Sequence, residues 1–333
     1  MWKRILVPLD GSKQAELGLA MAARLARKAG SELLLLRIIS VPPFPFAPYG
    51  EPAQITLALI EAARDEAESY LRNVSESMLV KGITVRIMTL EGHVSSDILD
   101  TARTEECDLI MLTAHGYGGL GRWRLGRVAE QVVRHSLTPV LIVPAHAAVA
   151  IGVEAEAAPI RVLAPLDGSE LAEAATQPAV NLALALTAPE RITIHLVQIV
   201  DPITAVIADA SEGPLPQPEI GPEERALDLA RSYLGGVASN IQRENPTMTV
   251  TFEAVIAQDV AAAICEIAEE EPHADVLAMA THGRGGMARW AMGSISERVL
   301  HTTHVPLLVV RSPGAITADR LAVEAAEEAK LHQ

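Results

Sequence analysis

Two glycine-rich segments are the first candidates for chemistry in this sequence. They run from Gly116 to Gly126 and from Gly283 to Gly293, and a helical pattern follows each of them. Glycines let a backbone pass close to a ligand, and the start of a helix offers free amide donors to an anion. These segments therefore predict binding of a small molecule that carries phosphate.

An Asp-Gly-Ser turn follows the first apolar strand in each half of the chain, at Asp10-Gly-Ser12 and at Asp167-Gly-Ser169. Ligands of open parallel sheets bind beyond the carboxyl ends of the strands, which makes the two aspartates candidates for ligand contact. A structural interpretation stays open beside this one. In it the serines cap the following helix and the aspartates shape the turn.

Other reactive side chains favour structural roles. His115 and His282 flank the glycine segments and are expected to shape these loops rather than act as bases. Ser294 through Glu297 has the pattern of a capping box. Cys107 and Cys265 do not align between the halves, so we expect buried thiols without shared chemistry. No catalytic residue and no metal site is predicted.

The glycine segments also spell a dinucleotide-binding fingerprint. That motif belongs after the first strand of a βαβ unit, with an acidic residue about 20 positions later. Here it follows the fourth strand, and the apolar segments 139–143 and 306–310 stand where the acid should be. A nicotinamide or flavin site is therefore disfavoured.

The candidates occur in pairs because the chain repeats itself. Ile5–Ser12 returns as Val162–Ser169, and Thr113–Gly119 returns as Ala280–Gly286. Two such matches indicate a duplicated domain of about 150 residues, a typical domain length. The predicted division is a first domain over 1–144, a linker over 145–159, a second domain over 160–312, and an acidic tail helix over 313–333.

Within each copy, short apolar strands alternate with helical patterns. Ser12 is expected to begin a helix that Gly30 ends, and one continuous helix is predicted over 170–186. Near-continuous apolar strands interleaved with helices indicate a parallel sheet covered on both faces. With right-handed crossovers, each copy becomes a doubly wound α/β domain.

Composition limits the partners. The 333 residues hold 27 Lys and Arg against 42 Asp and Glu, a net charge of -15, which disfavours nucleic acid as a partner. No apolar run approaches the ~20 residues of a membrane span, and the start lacks the apolar core of a signal peptide. Two cysteines exclude a disulfide framework. We expect a soluble protein of the cytoplasm.

The segments Val7–Ser12, Thr281–Gly286 and Gly293–Glu297 together resemble the universal stress protein family. The resemblance covers both copies, so the chain is similar to a tandem member. It implies, for each copy, a five-stranded parallel sheet of order 3-2-1-4-5 with helices on both faces. The family divides into members that bind ATP and members that do not.

The ATP-binding members carry G-x-x-G, nine residues, and then G-[S/T]. In the second copy Ala280 replaces the first glycine, and Gly283, Gly293 and Ser294 complete the pattern. The resemblance implies that these residues hold the phosphates of ATP, with or without Mg²⁺.

The first copy departs further from the pattern. Thr113 stands at the first glycine, Gly116 and Gly126 are kept, and Arg127 replaces the hydroxyl residue. Arg127 either binds phosphate through its charge or fills the space. We therefore expect the better nucleotide site in the second copy.

The resemblance also implies residues at the nucleoside. Asp167 would contact it and Ile199 would border the adenine, and the corresponding residues of the first copy are Asp10 and Ile38.

The function expected from these features is adenine-nucleotide binding by a regulatory stress-response protein. The alternative is a partner-binding scaffold that no longer binds nucleotide, and slow ATP hydrolysis is a third reading. The resemblance further implies that the last strands of the two copies pair as a pseudo-dimer and that the chain forms a homodimer.

Overall fold

A computed structural model describes residues 2–40, 52–114, 125–145, 147, 158–203, 221–270, 272–281 and 292–311, with 52–57 described as backbone only. The chain divides near residue 155 into two compact units. The predicted tail helix over 313–333 and nearly all of the predicted linker lie outside the described residues.

The first unit is a parallel sheet with strand order β3-β2-β1-β4-β5. Its elements are β1 (Arg4–Pro8), α1 (Lys13–Ala29), β2 (Glu32–Ile39), α2 (Pro52–Ser75), a 3₁₀ turn (Met78–Val80), β3 (Val85–Glu91), α3 (Val94–Thr104), β4 (Leu109–Ala114), α4 (Arg127–His135) and β5 (Val140–Pro144).

The second unit repeats this order as β8-β7-β6-β9-β10, again all parallel. Its elements are β6 (Ile160–Pro165), α5 (Glu170–Glu173), α6 (Thr176–Leu184), a 3₁₀ turn (Pro189–Arg191), β7 (Ile192–Val200), α7 (Pro222–Glu244), β8 (Thr249–Ile256), α8 (Val260–Glu269), β9 (Val276–Ala280), α9 (Ser294–Thr302) and β10 (Leu307–Val310). The α/β fold with sheet order 3-2-1-4-5 in each half is confirmed.

Burial of the central strands follows from helices on both faces of each sheet. Leu33, Leu34, Leu35 and Leu36 are all at most 1% exposed although their side chains alternate between faces, and every residue of β9 is buried. Each buried leucine stabilises the fold by about 1.5–3 kcal/mol through removal of apolar surface from water. Among the described helices, none is long and apolar enough to cross a membrane.

Both cysteines belong to this core, as expected. Cys107 and Cys265 are buried and unpaired. Burial raises the pKa of each thiol to about 11, so both stay protonated at neutral pH and are poor nucleophiles.

The boundaries of α1 agree with the sequence. The Ser12 hydroxyl accepts a hydrogen bond from the Ala15 amide at 3.1 Å, which caps the helix. Gly30 ends it in the left-handed conformation at φ 69°.

The continuous helix predicted over 170–186 is wrong. The segment forms α5 and α6 with a break at Ala174–Ala175. Pro178 explains the break, because its ring would clash with the carbonyl of Ala174 in a continuous helix and it has no N–H to donate. As the third residue of α6, Pro178 lies where no intrahelical donor is needed.

Gly30 and Gly236 form a matched pair for testing the helix end. An added Cβ would meet nothing within 4 Å at either glycine, but only Gly30 has a positive φ. We expect Gly30→Ala to destabilise the first unit by about 1–2 kcal/mol because of left-handed strain. Gly236→Ala, inside α7, is expected to stabilise the second unit by up to about 1 kcal/mol.

Chemical denaturation of each variant measures the two free energies of unfolding. Equal signs for the two substitutions would contradict the role assigned to Gly30.

Candidate functional site

The centre of each sheet opens beyond its first strand. β1 pairs with β2 along its whole length, from Arg4 to Pro8, but with β4 only at Ile5 and Leu6. The second unit has the same geometry, since β6 pairs with β9 only at Val162 and Leu163. The first and fourth strands therefore part toward their carboxyl ends, at the point where the connections of the sheet change direction.

A cavity of about 390 Å³ occupies this opening in the first unit. It is lined by the ends of β1, β2 and β4, by the starts of α1 and α4, and by Val94 and Ile98 of α3. The cavity brings together four sequence-predicted residues: Asp10, Ile38, Gly126 and Arg127. Gly116, like Gly283 of the second half, His115 and His282, lies outside the described residues.

The Asp-Gly-Ser turns have the structural role that the sequence left open. The Ser12 amide donates to Asp10 Oδ1 at 2.9 Å, and the Ser169 amide donates to Asp167 Oδ1 at 3.0 Å. Ser169 caps α5 by accepting from the Ala172 amide at 3.2 Å, just as Ser12 caps α1. These contacts fix the aspartates in place.

The charge of Asp10 is maintained by its neighbours. Burial alone would raise the pKa of its carboxyl, but hydrogen bonds from Ser12 and the positive charge of Arg37 outweigh burial and lower this pKa. Asp10 is therefore an anion at neutral pH, at the edge of the cavity.

The amino end of α4 forms the opposite side of the cavity. Gly126 is the N-cap, with φ -66° and ψ 153°, and no described side chain caps the helix. The first turn, Arg127 to Ala129, lines the cavity. The free amides of this turn, the helix dipole and the Arg127 guanidinium all favour an anion here. Arg127 is exposed and leaves the cavity open rather than filling it.

The second unit builds the matching helix start. Gly293 is the N-cap of α9, and its amide donates to the Thr281 carbonyl at 2.9 Å. The predicted capping box is wrong, because Ser294 is the first helical residue and caps nothing. The Ser296 hydroxyl instead donates to the Ala280 carbonyl at 3.0 Å, which ties the helix to the end of β9. The Ser294 side chain is exposed.

The remaining predicted residues of the second unit lie at the corresponding strand ends. Asp167 follows β6, Ile199 is near the end of β7, and Ala280 is the last residue of β9. These are the places that Asp10, Ile38 and Thr113 hold, to within a residue, in the first unit.

A family model described as the universal stress protein family matches residues 1–144 and 160–311. The chain belongs to the universal stress protein family.

Two comparisons show how far the likeness extends. A universal stress protein of Mycolicibacterium smegmatis is 25% identical over 311 residues, which is 92% of this chain and 96% of the relative. The crystal structure of a universal stress protein from Archaeoglobus fulgidus covers 92% of this chain and 98% of its own, with a TM-score of 0.65 and 20% identity. The tandem arrangement thus has relatives of nearly equal length.

A solved universal stress protein in complex with cAMP covers 43% of this chain, at 20% identity and a TM-score of 0.27.

Thr113 fits at the first-glycine position because α1 makes room for it. Its hydroxyl donates to the Ala15 carbonyl at 3.3 Å and fills the space beside Gly18, where an added Cβ would collide with it. In the sequence repeat, Ala175 of the second half stands at the position equivalent to Gly18. The threonine of the first universal stress domain is thus accommodated by a glycine in the neighbouring helix.

Arg37 is a cavity residue that the sequence interpretation missed. Its guanidinium lies against the Gly11 turn, with Cζ 3.0 Å from the position of an added Cβ, and 5.4 Å from the centre of the Tyr70 ring. Its Nη1 is buried without a hydrogen-bond partner among the described residues. A buried donor of this kind costs about 1–3 kcal/mol. Comparison of the two copies at the position before Ile38 and Ile199 would have drawn attention to it.

The protonation state of Tyr70 is set by its surroundings. Burial and the Glu16 carboxylate raise the pKa of its phenol, so the ring remains neutral beneath Arg37. A neutral aromatic face beside a guanidinium is a favourable cation–π arrangement.

A metal site finds no support in the described part of the chain. No group of three or more His, Cys, Asp or Glu side chains there is placed to hold an ion.

The fit between Thr113 and Gly18 yields a double-mutant prediction. We expect Gly18→Ala to destabilise the first unit by about 1 kcal/mol or more, because its Cβ displaces the Thr113 hydroxyl from Ala15. Adding Thr113→Ala should remove the conflict and reveal the better helix propensity of alanine.

The test is the free energy of unfolding of both single variants and the double variant. Additive changes would show that the two sites do not interact, contrary to this fit.

Proposed function

We propose that this universal stress protein is a regulatory protein that binds an adenine nucleotide, with one site in each unit. The observation that carries the proposal is the cavity of the first unit, where Asp10 and Ile38 lie at one side and the open start of α4 at the other. Its volume of about 390 Å³ falls within the usual range of small-molecule sites, roughly 300–1,000 Å³.

The two sides of the cavity suit the two ends of a nucleotide. Uncapped amides and Arg127 favour phosphate, whereas Ile38 and Ile98 offer apolar contact to a base. Asp10 accepts hydrogen bonds, as a ribose hydroxyl or a base amino group requires. This match supports nucleotide binding over a scaffold whose site is filled by its own side chains.

The second unit is proposed as the better ATP site. It combines Gly293 at the helix start with the exposed hydroxyl of Ser294, a small donor where the first unit has the longer Arg127. A side chain at Gly293 would also be tight, because an added Cβ would lie 3.2 Å from the Thr281 carbonyl oxygen.

Binding rather than rapid turnover is the proposed activity. The described residues do hold one arrangement that resembles a catalytic set, since His195 contacts Thr251 Oγ1 at 2.8 Å and Glu253 Oε1 at 2.9 Å. These side chains lie in the middle of β7 and β8, away from the strand ends where the candidate residues lie. Cross-strand hydrogen bonding accounts for them.

Nucleotide released from the protein tests the proposal. We expect freshly purified, denatured protein to yield ATP, ADP or AMP by ion-exchange chromatography. The protein is then freed of nucleotide and titrated with ATP. Gly293→Val should abolish the tighter site and Gly126→Val the weaker one, because each substitution adds bulk at a helix start. Gly236→Val is the control, since its Cβ faces open space on α7, and it should bind as the parent does.

Circular dichroism of each variant separates loss of the site from loss of the fold. Release of no nucleotide, together with no ATP binding by the parent, would favour the scaffold alternative. Loss of the tighter site only in Gly126→Val would reverse the ranking of the units.

We also propose that the two units pair through their last strands and that the chain forms a homodimer. The support is that β5 and β10 each end their own sheet and contain only apolar residues and proline. Such strands are prone to pair when left open. Small-angle scattering coupled to size exclusion should give one compact particle with the mass of two chains. Extended, separate lobes would contradict the pairing, and the mass of one chain would contradict the dimer.

A further inference from the structure

The guanidinium of Arg37 lies against the turn that presents Asp10. Arg37 is near the end of β2 and is one of the residues that line the cavity of the first unit. Its Nη1 occupies the space that a Cβ on Gly11 would take, and its Cζ is 3.0 Å from that position. Gly11 has a φ of 81°, in the left-handed region. Glycine therefore suits this position twice, through its backbone conformation and through the room that it leaves for the arginine.

A second contact, with Tyr70, also fixes the guanidinium. The Arg37 Cζ is 5.4 Å from the centre of the Tyr70 ring, which is a favourable cation–π distance. Packing against both the Gly11 turn and this ring restricts the arginine side chain. Its charge therefore stays beside the turn with little ordering left for a ligand to impose.

The charge of Arg37 acts on the Asp10 carboxylate. Burial raises the pKa of this carboxyl, but hydrogen bonds from Ser12 and the charge of Arg37 outweigh burial and lower it. Asp10 is exposed at the edge of the cavity, so a ligand can reach its carboxylate. The arginine thus supports an anion that remains open to the ligand.

A bound nucleotide would make this support more important. A ligand that covers Asp10 removes water from the carboxylate, and an anion that has lost water without gaining an opposite charge is costly in free energy. The phosphates of the ligand bring further negative charge into the same cavity. A guanidinium already fixed beside the turn offsets both costs.

We propose that Arg37 is a positioning residue of the first nucleotide site, where its charge, held against the Gly11 turn, stabilises the Asp10 carboxylate that receives the nucleoside. This inference rests on the proposed function, because it assumes that Asp10 contacts the bound nucleotide. Arg37 acts through Asp10 and needs no contact with the base. The strand register places the uncharged Gln198 at the equivalent position of the second unit, so the effect is specific to the first site.

Variants of similar length test whether the charge of Arg37 matters. ATP is titrated into the full chain carrying Gly293→Val, which is expected to leave only the first site. In this background we expect Arg37→Met to weaken ATP binding by about five- to twentyfold, because the charge is lost. Arg37→Lys keeps the charge and should bind within about threefold of the background. Arg37→Gln, which introduces the side chain that the second unit carries, is a second neutral variant and should show the same loss as Arg37→Met.

A double-mutant cycle tests whether Arg37 acts through Asp10. When Asp10→Asn is present, Arg37→Met should change the ATP affinity by less than about twofold, because the carboxylate that the arginine supports is gone. A guanidinium that attracted the phosphates directly would have the same effect with and without Asp10→Asn.

Arg103→Met is the matched control for the loss of one positive charge. Arg103 is exposed on α3 and lies outside the cavity lining, so this variant should bind ATP as the background does. Thermal unfolding without nucleotide, within a few degrees of the background for every variant, shows that a lost affinity is not a lost fold.

The outcomes separate the inference from the function on which it rests. Equal losses in Arg37→Met and Arg37→Lys overturn the inference, since packing rather than charge would then matter. The same loss with and without Asp10→Asn, or no loss in Arg37→Met, also overturns it, and in all these cases nucleotide binding stands. Binding by the parent but not by Gly293→Val overturns the first site and this inference with it. Absence of ATP binding by the parent overturns the proposed function and the inference together.

Discussion

The short pairing between the first and fourth strands is the constraint on which the site depends. β1 and β4 share only two register pairs before they part, and β6 and β9 do the same. Proline contributes to this separation, since Pro8 and Pro165 end their strands without an N–H to donate to a neighbour. The opening is therefore part of the sheet rather than a gap between loops. A ligand there meets ends of strands and starts of helices, where backbone groups are left free to donate or accept hydrogen bonds.

Duplication allowed the two copies to differ around a common opening. The Asp-Gly-Ser turn is the same in both, with its hydrogen bonds and its positive-φ glycine at 81° and 83°. The differences are found in the side chains that line or support the opening. The extra volume of Thr113 fits because Gly18 has no side chain. The long side chain of Arg127 fits because it is exposed at the start of α4. Such compensation changes what the cavity presents without disturbing the strands that form it.

Features encoded by neighbouring residues could be predicted from the sequence. The strands, the sheet order implied by the family, the Ser12 cap and the Gly30 end of α1 are all confirmed, because apolar runs and cap residues act locally. The single helix predicted over 170–186 is wrong because the alanine-rich pattern of the segment favours a helix throughout, whereas Pro178 forces a break. The cap at Ser294 is wrong for a tertiary reason. The Gly293 amide is bound to Thr281 of the preceding strand end, which makes the glycine the N-cap and moves Ser294 into the helix.

Arg37 could not be assigned from the sequence because its surroundings come from three separate segments. The Gly11 turn, Tyr70 of α2 and the end of β2 meet only in the folded unit. An isolated arginine within an apolar strand indicates no function by itself. Its place beside the cavity, with a buried Nη1, depends on packing that exists only in the folded unit.

The local charges around the cavity, rather than the net charge of the chain, determine which ligands it favours. A net charge of -15 acts weakly on a bound anion, because charges beyond about 8 Å are largely screened at physiological ionic strength. Within the cavity, Asp10 and Arg37 offset each other, since the positive charge of Arg37 lowers the pKa of the Asp10 carboxyl and keeps it ionised. This end of the cavity is therefore nearly neutral in charge. Arg127 and the start of α4 carry the remaining positive field, which favours phosphate at the other side. The two ends of the cavity thus differ in charge, as the proposed nucleotide site requires.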